Sequence, residues 1–222
     1  MVEQEEKNVQ NLIDKKEFRK RRKELFEKHG ERLQKILDLT FENKISMGTI
    51  VERNAIKYSD KIAIKFEDTI LTYKEFNERV NQYSHYLISL GLKKGDIVEI
   101  FVTNRTELLI IFAAICKIGA INSMINADLR GNSLVFSLKK TPGRFLIIGS
   151  ELIDAFNEIK SDLNLSEDQK LLFLPDKDSI KLPDGFINLS QTIEDFPIHN
   201  PSTTIDVKTT DPMAYIFTSG TT

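Results

Sequence analysis

The sequence predicts an α/β fold, a mostly parallel β-sheet flanked by helices and preceded by a charged helical extension. Three observations predict it. From residue 61 to residue 174, short apolar runs alternate with longer segments whose apolar residues recur every three or four positions. That is strand and helix in turn, at the spacing of βαβ units. The strand segments are apolar throughout, as expected when helices cover both faces of a sheet. The first forty residues, with one glycine and no proline, place Val9, Leu12, Ile13, Leu25, Phe26, Leu33, Ile36 and Leu37 at helical gaps.

Taken in order, a helix is expected over about 46–57, capped by Ser46. Lys61-Ile-Ala-Ile-Lys-Phe66 alternates as a strand, Glu67-Asp68 turns it, and Ile70-Leu71 returns. Thr72-Tyr-Lys-Glu75 fits a capping box, in which the hydroxyl takes an orphan amide and the carboxylate reaches back. The helix it opens carries Phe76, Val80, Tyr83, Leu87 and Leu90 on one face and stops at Gly91, where glycine accepts the left-handed conformation cheaply. Strand Asp96–Val102, helix Arg105–Lys117 ending at Gly119, strand Ala120–Ile125 and helix Gly131–Lys140 follow, the last stopped by Thr141-Pro142. Strand Phe145–Ile148, helix Glu151–Ile159 and strand Leu171–Leu174 complete the alternation. Residues 176–211 are acidic, contain Pro183, Pro197 and Pro201, and read as surface loops with short strands. Met213–Phe217 reads as a final strand.

With 222 residues, 41% of them hydrophobic and 29% charged, the chain is of ordinary globular composition and long enough for a sizeable core. One cysteine, Cys116, excludes an intrachain disulfide and a cysteine-rich zinc site. His29, His85 and His199 are scattered, so no metal site is expected. Net charge is −2, but it is unevenly spread. Residues 151–222 hold 13 acidic against 5 basic side chains, so the first 150 residues are net basic.

Residues 15–23 hold seven basic side chains in nine. Three readings stand: a solvated helical face, a contact with anionic lipid headgroups, or nucleic acid. No aromatic residues alternate with a basic face, so no nucleic-acid partner is expected. The amino terminus lacks the apolar run of a secretory signal. The most apolar stretch, Leu108–Ile121, is broken by Lys117 and falls short of the roughly 20 residues of a membrane span. The expectation is a cytoplasmic protein, peripheral on the inner membrane face if residues 15–23 engage lipid, with Cys116 a reduced core spectator. Arg130 is expected in a structural salt bridge and Asn126 as a turn former.

The end of the chain carries the chemistry. Thr218-Ser219-Gly220-Thr221-Thr222 is a loop of small hydroxyl residues around a glycine. Two readings are open. One is a surface Ser/Thr turn. The other is a phosphate loop, in which glycine lets backbone amides turn inward and hydroxyls add donors. Its place after a strand, at the carboxyl edge of a parallel sheet, is where such sheets bind ligands. It is not a Walker A loop, because the Gly-x4-Gly-Lys spacing is missing.

Tyr215-Ile-Phe-Thr-Ser-Gly-Thr-Thr222 resembles the start of the phosphate-binding signature of the AMP-forming acyl-adenylate superfamily, which includes acyl-CoA synthetases, peptide-synthetase adenylation domains and luciferases. That signature normally continues with Gly-x-Pro-Lys, and this chain stops before it. Leu71-Thr-Tyr-Lys-Glu-Phe76, Gly91-Leu-Lys-Lys-Gly-Asp-Ile-Val98 and Lys117-Ile-Gly-Ala120 resemble further family elements in order and distance. Ile125-Asn-Ala-Asp-Leu-Arg-Gly131 is similar to the fatty-acid transport protein and very-long-chain acyl-CoA synthetase branch.

The charge and spacing of the first residues set a helical extension over 1–42, and the resemblance implies, over 43–222, an incomplete AMP-binding domain cut inside the phosphate loop. It implies ligation of a long-chain or very-long-chain fatty acid to coenzyme A, with ATP and Mg²⁺. Thr218, Ser219, Gly220, Thr221 and Thr222 would hold the ATP phosphates, Thr221 and Thr222 foremost. The family's catalytic lysine, magnesium glutamate and ribose aspartate lie beyond residue 222, so the chain alone is expected to be inactive. Two alternatives remain: a non-catalytic fragment that binds membranes or a partner through its basic helix, and a ligase for another carboxylic acid.

Overall fold

A computed structural model describes residues 45–176 and 181–217, together with Lys20, Lys23, Glu24, Phe26, Glu27 and Gly30. The chain divides into two compact units, Met1–Asn43 and Lys44–Thr222. The six described residues of the first unit are helical, with Lys23 and Glu27 paired one turn apart at 3.9 Å. The rest of that unit, including most of the basic run 15–23, lies outside the described residues.

The second unit starts with helix α1 (Met47–Lys57). Ser46 caps it, its hydroxyl accepting from the Thr49 amide while Thr49 Oγ1 accepts from the Ser46 amide. A hairpin of β1 (Ile62–Phe66) and β2 (Thr69–Thr72) follows, antiparallel and separate from the main sheet. Thr72 and Glu75 form the expected capping box at the start of α2 (Tyr73–Ser89).

Then the alternation runs as predicted: β3 (Ile97–Phe101), α3 (Thr106–Ile118), β4 (Ile121–Met124), α4 (Gly131–Lys140), β5 (Phe145–Gly149), α5 (Ile153–Ile159) and β6 (Lys170–Leu174). Two further strands, β7 (Phe186–Asn188) and β8 (Ala214–Ile216), complete a six-stranded sheet in the order β7-β6-β5-β3-β4-β8. Every pairing in it is parallel. The expected helix at Glu151 begins two residues late. A 3₁₀ turn, Ser150–Leu152, comes first, because the Glu151 side chain reaches back to the loop after β3.

Side chains alternate across the sheet, as strand geometry requires. Val98, Ile100, Phe145, Ile147, Leu172 and Leu174 pack in one buried cluster with Val80 and Leu87 of α2 and Ile111 and Ile115 of α3. Phe101, Leu146, Ile148 and Phe173 pack in a second cluster with Leu134 of α4 and Phe156 of α5. The strands are not apolar throughout. Glu99 in β3 and Asn122 and Ser123 in β4 are buried in the sheet.

Candidate functional site

In an open parallel sheet the ligand crevice lies over the carboxyl ends of the strands, where successive connections run in opposite directions. Here that point is between β3 and β5. The connection through α3 carries the chain from β3 to one neighbour, β4, and the connection through α4 returns it across β3 to the other, β5.

Above this point the exits of three strands are tied together. Glu151 Oε1 accepts from the Thr103 amide at 2.9 Å and from Thr103 Oγ1 at 2.8 Å, and Oε2 accepts from Arg105 Nη1 at 3.3 Å. Arg105 Nη2 donates to the carbonyl of Leu174 at 2.9 Å, at the end of β6. The carboxylate fits because residue 149 is glycine, where a Cβ would collide with it. Arg105, Thr103, Asn104, Asp176 and Ser190, with Thr69 from the hairpin, line a cavity of about 420 Å³. Sequence reasoning assigned Arg105 only to a helix start. Its cross-links to β5 and β6 involve residues 46 and 69 positions away, which no local pattern reveals.

The second part of the rim belongs to β4 and β8. Chain leaving β4 turns at Asn126, whose side-chain oxygen accepts from the Asp128 amide at 2.9 Å, the turn role expected of it. Arg130 differs from expectation. Among the described residues it makes no ion pair, and Nη1 instead donates to the carbonyls of Ala127 at 2.6 Å and Leu129 at 2.7 Å, closing the turn before α4. Ala127, Leu129 and Phe217, the last described residue, pack on the same apolar cluster. The exits of β4 and β8 therefore share one patch of the rim.

What brings β8 to this place is a set of polar anchors in the preceding loop. Asn122 takes the Met213 carbonyl through its amide at 3.0 Å and through Nδ2 at 3.2 Å, starting the parallel register Asn122↔Ala214. Lys94 pairs with Asp211 and donates to the Asp206 carbonyl at 2.7 Å. Desolvation works against the Asp211 carboxylate. The Lys208 amide and Lys94 outweigh it and hold the group below its ordinary value.

Further back, Lys117 is fully buried. Its ammonium donates to Asn81 Oδ1 at 2.6 Å, Asn77 Oδ1 at 2.7 Å, Asn200 Oδ1 at 3.0 Å and Glu52 Oε1 at 3.1 Å. Burial pushes the ammonium down to about 8, with Glu52 pulling the other way. It therefore remains charged at neutral pH, joining α1, α2 and α3 to the segment that leads into β8. Thr203 Oγ1 adds a bond to the Lys117 carbonyl at 2.9 Å. Gly119, next but one, takes φ +78° to end α3, so the turn Lys117–Ala120 both anchors the loop and starts β4.

The residues expected to hold phosphates, Thr218, Ser219, Gly220, Thr221 and Thr222, lie outside the described residues. Among the described residues no three His, Cys, Asp or Glu side chains are grouped to hold a metal ion. No helix among them is long and apolar enough to cross a membrane. Cys116 is buried, and burial pushes its thiol up to about 12, a spectator as expected.

Comparison with known proteins agrees with this geometry. The chain is 31% identical over 184 residues to the medium/long-chain-fatty-acid–CoA ligase FadD6 of Mycobacterium tuberculosis, covering 81% of this chain and 28% of that one. It is 28% identical over 189 residues to the long-chain fatty acid transport protein 6 of Homo sapiens, covering 82% and 29%. Among solved structures, the anthranilate CoA ligase AuaEII in complex with anthranoyl-AMP superposes with a TM-score of 0.70 at 23% identity, over 80% of this chain and 33% of that one. A Mycobacterium tuberculosis fatty acyl CoA synthetase gives 0.68 at 19%, over 81% and 34%. These superpositions show the fold. The chain thus spans less than a third of the length of the two curated relatives. The family model of the AMP-binding enzyme matches residues 51–222, most of the chain, and the chain belongs to that family.

Proposed function

We propose that this chain contributes the first β-sheet and the phosphate loop of a fatty acyl-CoA ligase. The observation that carries the reading is the placement of β8. A strand of the family-matched region leaves the sheet at its carboxyl edge, beside the exit of β4, and runs directly into Thr218-Ser-Gly-Thr-Thr222. Four hydroxyls and a glycine are a fitting donor set for phosphate oxygens. In this reading Thr221 and Thr222, then Ser219, donate to the β- and γ-phosphates of ATP, and Gly220 shapes the backbone. Mg²⁺ would add charge neutralisation through residues outside this chain.

The reaction proceeds in two steps. The fatty acid carboxylate attacks the α-phosphate, giving acyl-AMP and releasing pyrophosphate. The coenzyme A thiol then displaces AMP. Donors fixed where charge builds up on the phosphate chain are what the first step requires. A long or very long fatty acid is the proposed substrate, on the strength of similarity to proteins named as fatty-acid ligase and fatty acid transport protein.

Fatty-acid-dependent ATP–pyrophosphate exchange tests this reading. The 222-residue chain alone is expected to show none. The longest reading frame that contains it is expected to continue with Gly-x-Pro-Lys and to show exchange with long-chain acids. Exchange with aryl or amino acids in place of fatty acids would overturn the substrate class. Exchange by the 222 residues alone would overturn the division of labour.

A further inference from the structure

His85 and His199 stand 114 positions apart in the chain, and the fold sets their rings side by side. The ring centroids are 4.8 Å apart and the planes are inclined by 74°. His85 is half-buried near the end of α2, and His199 is exposed in the segment that runs on through Pro201 toward β8. That segment is pinned to the helix on both sides of His199. Asn81, one turn before His85, donates through Nδ2 to the Ile198 carbonyl at 2.6 Å and to Asn200 Oδ1 at 3.0 Å. Each ring also has one nitrogen committed. His85 Nε2 stands 3.0 Å from the His199 carbonyl, and His199 Nδ1 stands 3.3 Å from the Asn200 carbonyl. A carbonyl oxygen only accepts, so these contacts put the proton of each neutral ring on that nitrogen. His85 Nδ1 and His199 Nε2 then carry the lone pairs.

An N–H held by a backbone carbonyl is what fixes the tautomer of a metal-ligating histidine and leaves its other nitrogen for the metal. We propose that His85 and His199 together bind one divalent transition cation of the zinc type, through His85 Nδ1 and His199 Nε2. Zn–N bonds of about 2.0–2.1 Å at a tetrahedral angle set two imidazole centroids about 5 Å apart, close to the spacing found here. Among the described residues no third His, Cys, Asp or Glu joins them, so water completes the coordination. Two neutral nitrogens suit zinc, copper or nickel and not magnesium or calcium, which take oxygen ligands. The charge of Lys117, which also meets Asn200, is offset by Glu52 at 3.1 Å. The bound ion ties α2 to the segment that leads into β8. This site is separate from the proposed phosphate loop and does not depend on the ligase reading.

The test is calorimetric titration of the 222-residue chain with zinc chloride, with the histidine ring signals followed by NMR. A pH of about 7.5 suits it, because a ligand nitrogen must be free of its proton. The expected result is one ion per chain with a micromolar dissociation constant, and shifts in the ring signals of both His85 and His199. His85→Gln and His199→Gln each keep an N–H for the carbonyl and lose the lone-pair nitrogen. Each replacement alone should weaken zinc at least about tenfold, and His29→Gln should change nothing. Magnesium chloride at the same concentration should leave the bound zinc in place. Affinity that survives either single replacement would overturn the proposal. So would an equal loss in His29→Gln, displacement by magnesium, zinc that binds the wild type without moving both rings, or no micromolar binding at all.

Discussion

Replacing Glu99 by glutamine removes a buried ionisable group without changing shape. The glutamine oxygen can keep the bonds from Gly143 and Gln169, and the amide nitrogen takes the place of the unpartnered Oε1. In the wild type, burial raises the carboxyl group from 4.5 to about 8, and the two hydrogen bonds only partly oppose it. The folded state therefore holds a proton between these values that the unfolded chain has released. By linkage, stability is fully present below pH 4.5 and falls as pH rises toward 8. One pKa unit corresponds to about 1.4 kcal/mol. The wild type should thus lose about 3 kcal/mol between pH 4.5 and 7, and between 4 and 5 by pH 8 and above. Urea denaturation followed by far-UV circular dichroism at a series of pH values measures this. Glu99→Gln should match the wild type near pH 4.5 and exceed its stability by about 3 kcal/mol at pH 7. Parallel curves for the two proteins would refute the reasoning, because they would mean that Glu99 ionises in the fold as it does in water.

The opposite sign applies to Lys117, whose folded pKa is depressed from 10.5 to about 8. Stability should fall as pH drops through that window, so the two groups together place a minimum near pH 8 in the wild-type curve. Lys117→Met keeps the hydrocarbon stem but leaves the Asn77 and Asn81 oxygens buried without their donor. A loss of about 2–4 kcal/mol in urea is expected, and a loss below about 1 would show that these oxygens are rehydrated. Gly48→Ala puts a Cβ 2.9 Å from both Lys117 Cγ and Thr204 Cγ2. Overpacking of about 1–3 kcal/mol should outweigh the roughly 0.5–1 kcal/mol that alanine gains in a helix, a net loss readable in the thermal midpoint. Phe156→Ala empties a fully buried position beside Phe186, with ring centroids 5.9 Å apart. It should cost about 3–5 kcal/mol by the same assay.

Local patterns carried most of the fold into view. The capping box at Thr72, the glycine stop at Gly119 and the alternating periods between residues 61 and 174 are short-range signals, and each element they mark forms. What stayed hidden depends on partners far along the chain. Lys117 reads in sequence as an interruption of an apolar helix. Its burial makes sense only when Asn77, Asn81 and Asn200 come together around it, up to 83 residues away. Glu99 likewise breaks the apolar character of β3, and its partners Gly143 and Gln169 lie 44 and 70 residues downstream. Strand β7 is three residues long, too short to stand out from the loops around it. For the candidate site, the sequence named the loop, and the fold added what carries it: the Asn122 and Lys94 anchors that bring β8 alongside β4.

The most direct measurement is an experimental structure of the protein, in its longest reading frame, with a non-hydrolysable ATP analogue bound. The β- and γ-phosphate oxygens should stand about 3 Å from the amides and hydroxyls of residues 218–222, just past Phe217 at the end of β8. Phosphates bound on another part of the molecule, with those five residues pointing away from them, would contradict the account.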